Sequence, residues 1–157
     1  MNIERISNQT RELVNQFIIN NWFSTNIIIR NKVIDATKLD GFLLLEENKI
    51  IGLITYTYFD NICEIVTLDS KKEGIGIGSN LLQKVEETAI NNNYKKIRLI
   101  TTNDNLKALQ FYQKRGYFLT NLYPNAMDNV RKLKPNVPLI GENNIPLRDE
   151  LELTKNL

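Results

Sequence analysis

Histidine is absent from the 157-residue chain, and its absence narrows the chemistry that the protein can perform. Histidine is the commonest general base near neutral pH and the commonest metal ligand. Serine–histidine and cysteine–histidine hydrolysis are therefore excluded, and so are most zinc sites. We expect no metal, so acid–base chemistry has to come from carboxylates, tyrosine, lysine, cysteine or water.

Cysteine is nearly absent as well, since Cys63 is its single representative. No disulfide can form within the chain, which fits a reducing environment. The N-terminus shows no apolar signal core, and no apolar run approaches the roughly 18 residues of a membrane span. We therefore expect a cytoplasmic protein with no membrane partner, in which Cys63 is a small core residue rather than a nucleophile.

An excess of charge of one sign is also missing, because 20 basic residues face 18 acidic ones and the net charge is +2. No basic stripe stands out, so we expect no nucleic-acid partner. The hydrophobic content of 42% and the charged content of 24% are ordinary for a soluble globular protein. The length predicts a single domain over residues 1–157. We expect a monomer or a homodimer.

Strand and helix patterns alternate along the chain and predict an α/β fold with a mixed sheet. A strand–helix–strand path between residues 62 and 101 is long enough for a crossover between parallel strands. Residues 124–146 hold all four prolines and read as a long excursion, whereas residues 22–40 give no clear pattern. The predicted helices are 9–21, 76–91 and 106–115, and the predicted strands are 1–6, 42–46, 50–59, 62–68, 96–101, 117–123 and 147–155.

A glycine-rich loop, Glu73-Gly74-Ile75-Gly76-Ile77-Gly78-Ser79, separates a predicted strand from a predicted helix. Glycines let backbone amides approach an anion closely, and a helix N-terminus adds unpaired N–H groups and a positive dipole end. A pyrophosphate suits this loop, although a plain strand–helix turn would look the same. A nucleoside-triphosphate loop needs a lysine where Ser79 stands. A dinucleotide fingerprint needs glycines separated by one and then two residues, whereas Gly74, Gly76 and Gly78 are each separated by one. The nucleoside-triphosphate and dinucleotide interpretations are therefore both weak.

The predicted helix 106–115 places Asn105, Ala108 and Tyr112 on one face, because their spacings of three and four residues match nearly two turns. The reference pKa of tyrosine, about 10, lies above that of a thiol, about 8.5. Tyr112 can therefore protonate a departing thiolate. The alternative is a partly buried core tyrosine whose hydroxyl is satisfied.

Together the two segments resemble the GNAT N-acetyltransferase superfamily. The stretch 68–82 is similar to its first signature, and the stretch 105–117 is similar to its second. The resemblance implies a mixed, mostly antiparallel sheet flanked by helices, and direct transfer of an acetyl group from acetyl-CoA to a small-molecule or peptide amine in a ternary complex. It implies Tyr112 as the general acid. It implies these cofactor-binding residues: Val66 and Leu68 through their main chain, the loop Glu73, Gly74, Ile75, Gly76, Ile77, Gly78 and Ser79, and Asn105.

One residue departs from the family pattern, because Glu73 stands where arginine or glutamine is usual. Its amide can still donate, and Lys71 and Lys72 can offset its charge. Two other functions stay open, namely a different acyl-CoA donor and a CoA-binding sensor that has lost catalysis. The stretch 131–150 resembles an uncharacterised bacterial subset of the family, which transfers no acceptor.

Glu64 is a candidate general base in a strand that should be central to the sheet. Alternation with period two places it on one face with Val66 and Leu68, and a buried carboxylate there needs a partner or a chemical role. In some relatives, a glutamate in this strand deprotonates the incoming amine, in some cases through water. The alternative is a glutamate at a strand end that reaches solvent.

Overall fold

The computed structural model describes residues 1–157, the whole chain, as two compact units. The first unit comprises residues 1–27, 34–97 and 157, and the second comprises residues 28–33 and 98–156. The helices are α1 (Arg11–Trp22), α2 (Ile77–Asn91), α3 (Leu106–Gln113) and α4 (Ala126–Leu133). The strands are β1 (Ile3–Arg5), β2 (Asn26–Ile29), β3 (Lys32–Asp35), β4 (Asp40–Glu46), β5 (Lys49–Phe59), β6 (Ile62–Ser70), β7 (Lys96–Thr102), β8 (Phe118–Tyr123) and β9 (Glu150–Asn156).

Seven strands form one sheet in the order β1-β4-β5-β6-β7-β9-β8. The sheet is mixed, mostly antiparallel and flanked by helices, which confirms the predicted α/β fold. The strands β2 and β3 pair separately as a hairpin in the region 22–40 that gave no sequence pattern. No helix has the combination of length and apolar character that crossing a membrane requires.

The first unit contains an antiparallel meander of β4, β5 and β6, three strands that the sequence predicts. Its two hairpin turns, Glu47-Asn48 and Asp60-Asn61, have positive φ at all four residues, as two-residue hairpins between right-handed twisted strands require. The core lies between the sheet and the helices, and α2 buries one line of apolar side chains against it. That line consists of Ile77, Leu81, Val85 and Ala89, which recur every four residues.

Gly52 in β5 allows α2 to pack this closely. A Cβ at this position would lie 2.4 Å from Cγ2 of Ile77 and 3.0 Å from Cδ1 of Leu81. Both side chains are almost fully buried, so they have no space into which to withdraw. The start of α2 is therefore packed closely against β5.

The second unit contains the antiparallel pair β8–β9 and the proline-containing excursion 124–146. The excursion includes α4 and a short 3₁₀ turn at Glu142–Asn144, and β9 begins at residue 150 rather than 147. Asp104 fastens the turn, because its Oδ2 accepts a hydrogen bond from the Glu142 N–H at 2.8 Å. Arg131 of α4 donates hydrogen bonds to the carbonyl oxygens of Pro138, at 2.8 Å, and of Leu147, which connects the helix to the later part of the excursion.

Candidate functional site

The glycine-rich loop is exposed from Lys71 to Gly76 and leads directly into α2. Gly74 and Gly76 have φ values of +78° and +83°, a left-handed conformation that side chains disfavour. Added Cβ atoms would meet nothing within 4 Å at Gly74 and only the Asn80 amide nitrogen, at 3.4 Å, at Gly76. The loop therefore keeps open space above its backbone, which side chains would occupy.

The N-terminus of α2 differs from those of the other three helices. The first turns of α1 and α4 carry Glu12 and Asp128, and α3 is capped by Asn105. Helix α2 has neither a side-chain cap nor an acidic residue in its first turn. Its first N–H groups have no partner within the helix, so this terminus favours an external anion.

The two lysines that precede the loop are directed away from it. Lys72 donates to Glu46 Oε2 at 2.5 Å, and Lys71 donates to the side chain of Asn21. Lys71 also lies over the ring of Phe17, with its Nζ 5.3 Å from the ring centroid. These contacts hold both charges beside α1 and β4, so backbone amides carry the anion-binding capacity of the loop.

Strand β6, which leads to the loop, contains a β-bulge at Val66. Thr67 pairs with Thr55 and Ile65 pairs with Tyr56, so Val66 has no partner residue in β5. A bulge bends its strand and increases the local twist, and bulges are frequent beside active sites. The bulge therefore gives the main chain around Val66 a course that a regular strand would not have.

The bulge also shows that the predicted face of Glu64 was wrong. Glu64 pairs with Thr57 and Leu68 pairs with Ile54, three residues away on β5, so the two side chains occupy opposite faces of the sheet. Glu64 instead shares its face with Thr67, whose partner Thr55 is two residues from Thr57. The bulge cannot be recognised from the sequence. One extra residue in β6 exchanges the two faces for all later residues of the strand, but the order of polar and apolar residues looks the same with or without it.

Glu64 is 1% exposed, so it does not reach solvent at a strand end. The neighbouring Cys63 is fully buried, and burial together with the charge of Glu64 raises its pKa to about 12. A thiol with this pKa stays protonated near neutral pH and is a poor nucleophile. The interpretation of Cys63 as a small core residue is confirmed.

Asn105 and Tyr112 belong to the second unit and mark the two ends of α3. The Oδ1 atom of Asn105 accepts a hydrogen bond from the Ala108 N–H at 3.1 Å and caps the helix, which leaves its amide nitrogen outside the cap. Tyr112 is 6% exposed, and its ring makes edge contacts with Phe111 and Tyr117, whose centroids lie 5.0 and 5.4 Å away. These contacts fix the ring of Tyr112.

Comparison with known proteins identifies the family. A model of the acetyltransferase (GNAT) family matches residues 9–117. This chain belongs to the GNAT acetyltransferase family. It is 47% identical to YxbD, an uncharacterized protein of Bacillus subtilis strain 168, over 158 residues that cover 100% of this chain and 99% of the relative.

Two solved structures resemble this GNAT chain over nearly its full length. One is an IAA acetyltransferase from Bacillus cereus, with a TM-score of 0.76, 22% identity and coverage of 99% of each chain. The other is a GNAT family acetyltransferase from Elizabethkingia anophelis with acetyl-CoA bound, with a TM-score of 0.69, 26% identity and coverage of 99% of this chain and 97% of that one. Family membership supports acetyl transfer as the type of activity.

The second unit of this GNAT protein contains a cluster of ionisable side chains that the sequence pattern did not indicate. Glu150 and Glu152 on β9 are 3% and 6% exposed, and they alternate with leucines that face the other side of the sheet. In the sequence, this alternation reads as a strand with glutamates toward water. The structure buries them beside Arg30, Arg98 and Tyr123.

Three apolar residues of the region 22–40, namely Trp22, Ile27 and Ile29, pack into the protein interior or bond to a neighbouring strand. The Trp22 indole N–H donates to Asp69 Oδ2 at 2.9 Å, and burial raises the pKa of Asp69 despite this bond. Ile27 and Ile29 are each 5% exposed, so both side chains belong to the core.

Proposed function

We propose that this chain is an N-acetyltransferase that moves the acetyl group of acetyl-CoA to an amine by direct transfer in a ternary complex. The observation that carries the proposal is the open, positive-φ loop 73–79 at an uncapped helix start without an acidic residue. Family membership supports it, and so does the acetyl-CoA bound to the Elizabethkingia anophelis structure.

In this proposal, the loop amides from Glu73 to Ser79 hold the CoA pyrophosphate. The main chain around Val66 and Leu68 pairs with the pantetheine arm, a role that the bulge at Val66 supports because it gives the main chain there an irregular course. The amide nitrogen of Asn105 contacts the cofactor, since only its oxygen is used in capping α3. No metal takes part.

The chemistry that we propose is one displacement at the thioester carbonyl. An acceptor amine loses a proton to Glu64 or to water, and its nitrogen then forms a bond to the carbonyl carbon. The carbon–sulfur bond breaks, and the CoA thiolate takes a proton from the hydroxyl of Tyr112. The acylated nitrogen loses its second proton, which restores the Tyr112 hydroxyl and leaves a neutral amide. The buried, edge-packed ring of Tyr112 supports this role, because a general acid acts only from a fixed position.

The loop assignment is tested by replacing Gly76 with valine and measuring CoA binding by calorimetry. A β-branched side chain fills the space above the loop, so CoA affinity should fall at least tenfold. Gly116→Val is the matched control, because Gly116 has a φ of +88° but lies outside the loop. An equal loss of affinity in both variants, or in neither, would contradict the assignment.

The reaction is tested by measuring thiol release with acetyl-CoA, propionyl-CoA and succinyl-CoA against aliphatic amines, amino acids and short peptides. Acetyl-CoA should give the fastest release, and only with an amine present. CoA binding without thiol release for any donor and acceptor would contradict the proposed activity and indicate a sensor.

A further inference from the structure

The cluster of ionisable side chains in the second unit contains two carboxylates in contrasting states. Both carboxylate oxygens of Glu152 accept hydrogen bonds. Its Oε2 accepts from Thr120 Oγ1 at 2.8 Å and from Asn121 Nδ2 at 2.7 Å, and its Oε1 accepts from the Tyr123 hydroxyl at 3.2 Å. The Arg30 guanidinium lies 3.9 Å from Oε1. Burial alone would raise the pKa of Glu152, but these hydrogen bonds and nearby arginine charge lower it.

Glu150 lies on the same face of β9, two residues earlier, and it is not saturated. Its carboxylate accepts one hydrogen bond, from the backbone N–H of Arg30, and its Oε1 is buried without a hydrogen-bond partner. The side chain is 3% exposed. Burial raises its pKa, and the bond and charge of Arg30 only partly oppose that rise.

An unsatisfied buried carboxylate oxygen is costly, because the group has lost its hydration and gained no replacement. Glu152, two residues later on the same face, has both carboxylate oxygens hydrogen-bonded, so the lack of a donor sets Glu150 apart from its neighbour. A buried polar atom without a partner needs an explanation, and a ligand that supplies the missing donor is one.

We propose that Glu150 is the residue that binds the protonated amine of the acceptor, and that the acceptor is therefore an aliphatic amine carrying positive charge. This inference rests on the proposed N-acetyltransferase function. A cationic N–H donor matches the vacant lone pairs of Glu150 Oε1, and hydrogen bonds between charged groups are roughly twice as strong as neutral ones.

The position of the cluster suits a small cation from solvent. The turn Arg30-Asn31 at the tip of the β2–β3 hairpin borders it, and Asn31 is exposed. The Arg30 side chain is 13% accessible, so the carboxylates lie just below the surface. Tyr123, which bonds Glu152, is also partly exposed at the end of β8.

The binding test uses n-butylammonium as the probe and the carbon-13 signals of the glutamate carboxyl groups, measured by NMR in the complete chain. Glu150→Gln identifies the signal of Glu150 by removing it. Addition of n-butylammonium should shift that signal more than any other and leave the signal of Glu152 nearly unchanged. If the Glu150 signal does not move at millimolar probe, the inference is wrong, whether or not the protein is an acetyltransferase.

The kinetic test compares n-butylamine with an aromatic amine that is uncharged at neutral pH. In Glu150→Gln, the KM for n-butylamine should rise roughly ten- to a hundredfold, the loss expected for a hydrogen bond to a charged group. The KM for the aromatic amine and the affinity for CoA should change much less. Glu142→Gln, which alters an exposed glutamate of the same unit, is the control and should match the wild-type KM values.

The two proposals fail in different ways. Absence of thiol release by the wild-type protein with every amine contradicts the acetyltransferase function, and the NMR titration still decides the role of Glu150. Wild-type release with an unchanged KM for n-butylamine in Glu150→Gln contradicts the role of Glu150 alone. A folding defect is recognised by the melting temperature, and Glu150→Asp, which keeps the charge, should recover part of the binding.

Discussion

The two glutamates on one face of β9 should respond in opposite directions to neutralisation, and stability measurements can show this without any ligand. We consider Glu150→Gln and Glu152→Gln, which remove the charge and nearly preserve the shape. Burial raises the pKa of Glu150 in the folded state. The pKa of Glu152 is lowered, because hydrogen bonds from Asn121, Thr120 and Tyr123 outweigh its burial.

The sign of each pH effect follows from proton linkage. A raised folded-state pKa means that the folded protein binds the Glu150 proton more tightly than the unfolded chain does, so stability falls as pH rises above the unfolded pKa. A lowered pKa gives the reverse for Glu152, whose contribution is present above the unfolded pKa and is lost as pH falls through the folded one. Glu150→Gln should therefore gain stability at neutral pH, whereas Glu152→Gln should lose it.

The magnitudes follow from the hydrogen bonds. Glutamine at position 152 places an amide donor against the donors of Thr120 and Asn121, and a hydrogen bond to a charged group contributes about 1.5–3 kcal/mol. A loss of about 2 kcal/mol corresponds to a melting temperature lower by roughly 4–8 °C for a chain of this size. Glu150→Gln removes a buried charge that lacks hydrogen-bond donors. This should raise the free energy of unfolding by about 1 kcal/mol and the melting temperature by roughly 2–4 °C.

The assay is thermal unfolding followed by circular dichroism between pH 4 and pH 8, with Glu142→Gln as the surface control. Both differences from wild type should shrink toward pH 4. If Glu150→Gln is destabilised at neutral pH as much as Glu152→Gln, then Glu150 serves the fold. That result would remove the energetic reason for a ligand at Glu150.

Two further predictions concern Tyr112 and Cys63. Tyr112→Phe should lower kcat by about a hundred- to ten-thousand-fold, the usual contribution of general acid catalysis, and leave CoA affinity nearly constant. The control is Tyr117→Phe, which changes a neighbouring buried ring. A wild-type kcat for Tyr112→Phe, measured where chemistry limits the rate, would exclude Tyr112 as the acid. The Cys63 thiol, with a pKa raised to about 12 by burial, should not react with a disulfide reagent at pH 8 unless the protein is first unfolded, and rapid labelling of the native protein would show that Cys63 is accessible.

The parts of the fold that depend on local signals could be predicted from the sequence. The turns Glu47-Asn48 and Asp60-Asn61 are short polar breaks between strand patterns, and the apolar line of α2 repeats with the period of a helix. The sequence predicts the glycine-rich loop between a strand and a helix, and the structure has it there. What the loop binds, and what Tyr112 and Asn105 do, remain predictions.

The features that depend on tertiary structure could not be predicted in this way. The hairpin β2–β3 has strands of four residues each, too short for a clear alternation. The bulge at Val66 becomes visible only when the pairing with β5 is known. The burial of Glu150 and Glu152 depends on Arg30, which lies 120 residues earlier in the chain than Glu150.

The uncapped start of α2 leads to a last prediction, in which stability and binding change in opposite directions. An acidic side chain in the first turn stabilises a helix by about 0.3–1 kcal/mol, and α2 is the one helix here with neither an acid nor a side-chain cap at its start. Ser79 is the third residue of α2, so Ser79→Asp supplies that charge.

The Ser79→Asp protein without ligand should melt roughly 1–4 °C higher than Ser79→Asn, which has the same shape without the charge. The same carboxylate would compete with the pyrophosphate for the first N–H groups of α2, so CoA affinity should fall at least tenfold relative to Ser79→Asn. If this helix start is merely a turn, Asp should raise the melting temperature and leave CoA binding unchanged. That pair of results, in scanning calorimetry and titration calorimetry, would refute the assignment of residues 73–79 to the pyrophosphate, because an anion site cannot accept a permanent negative charge without losing affinity.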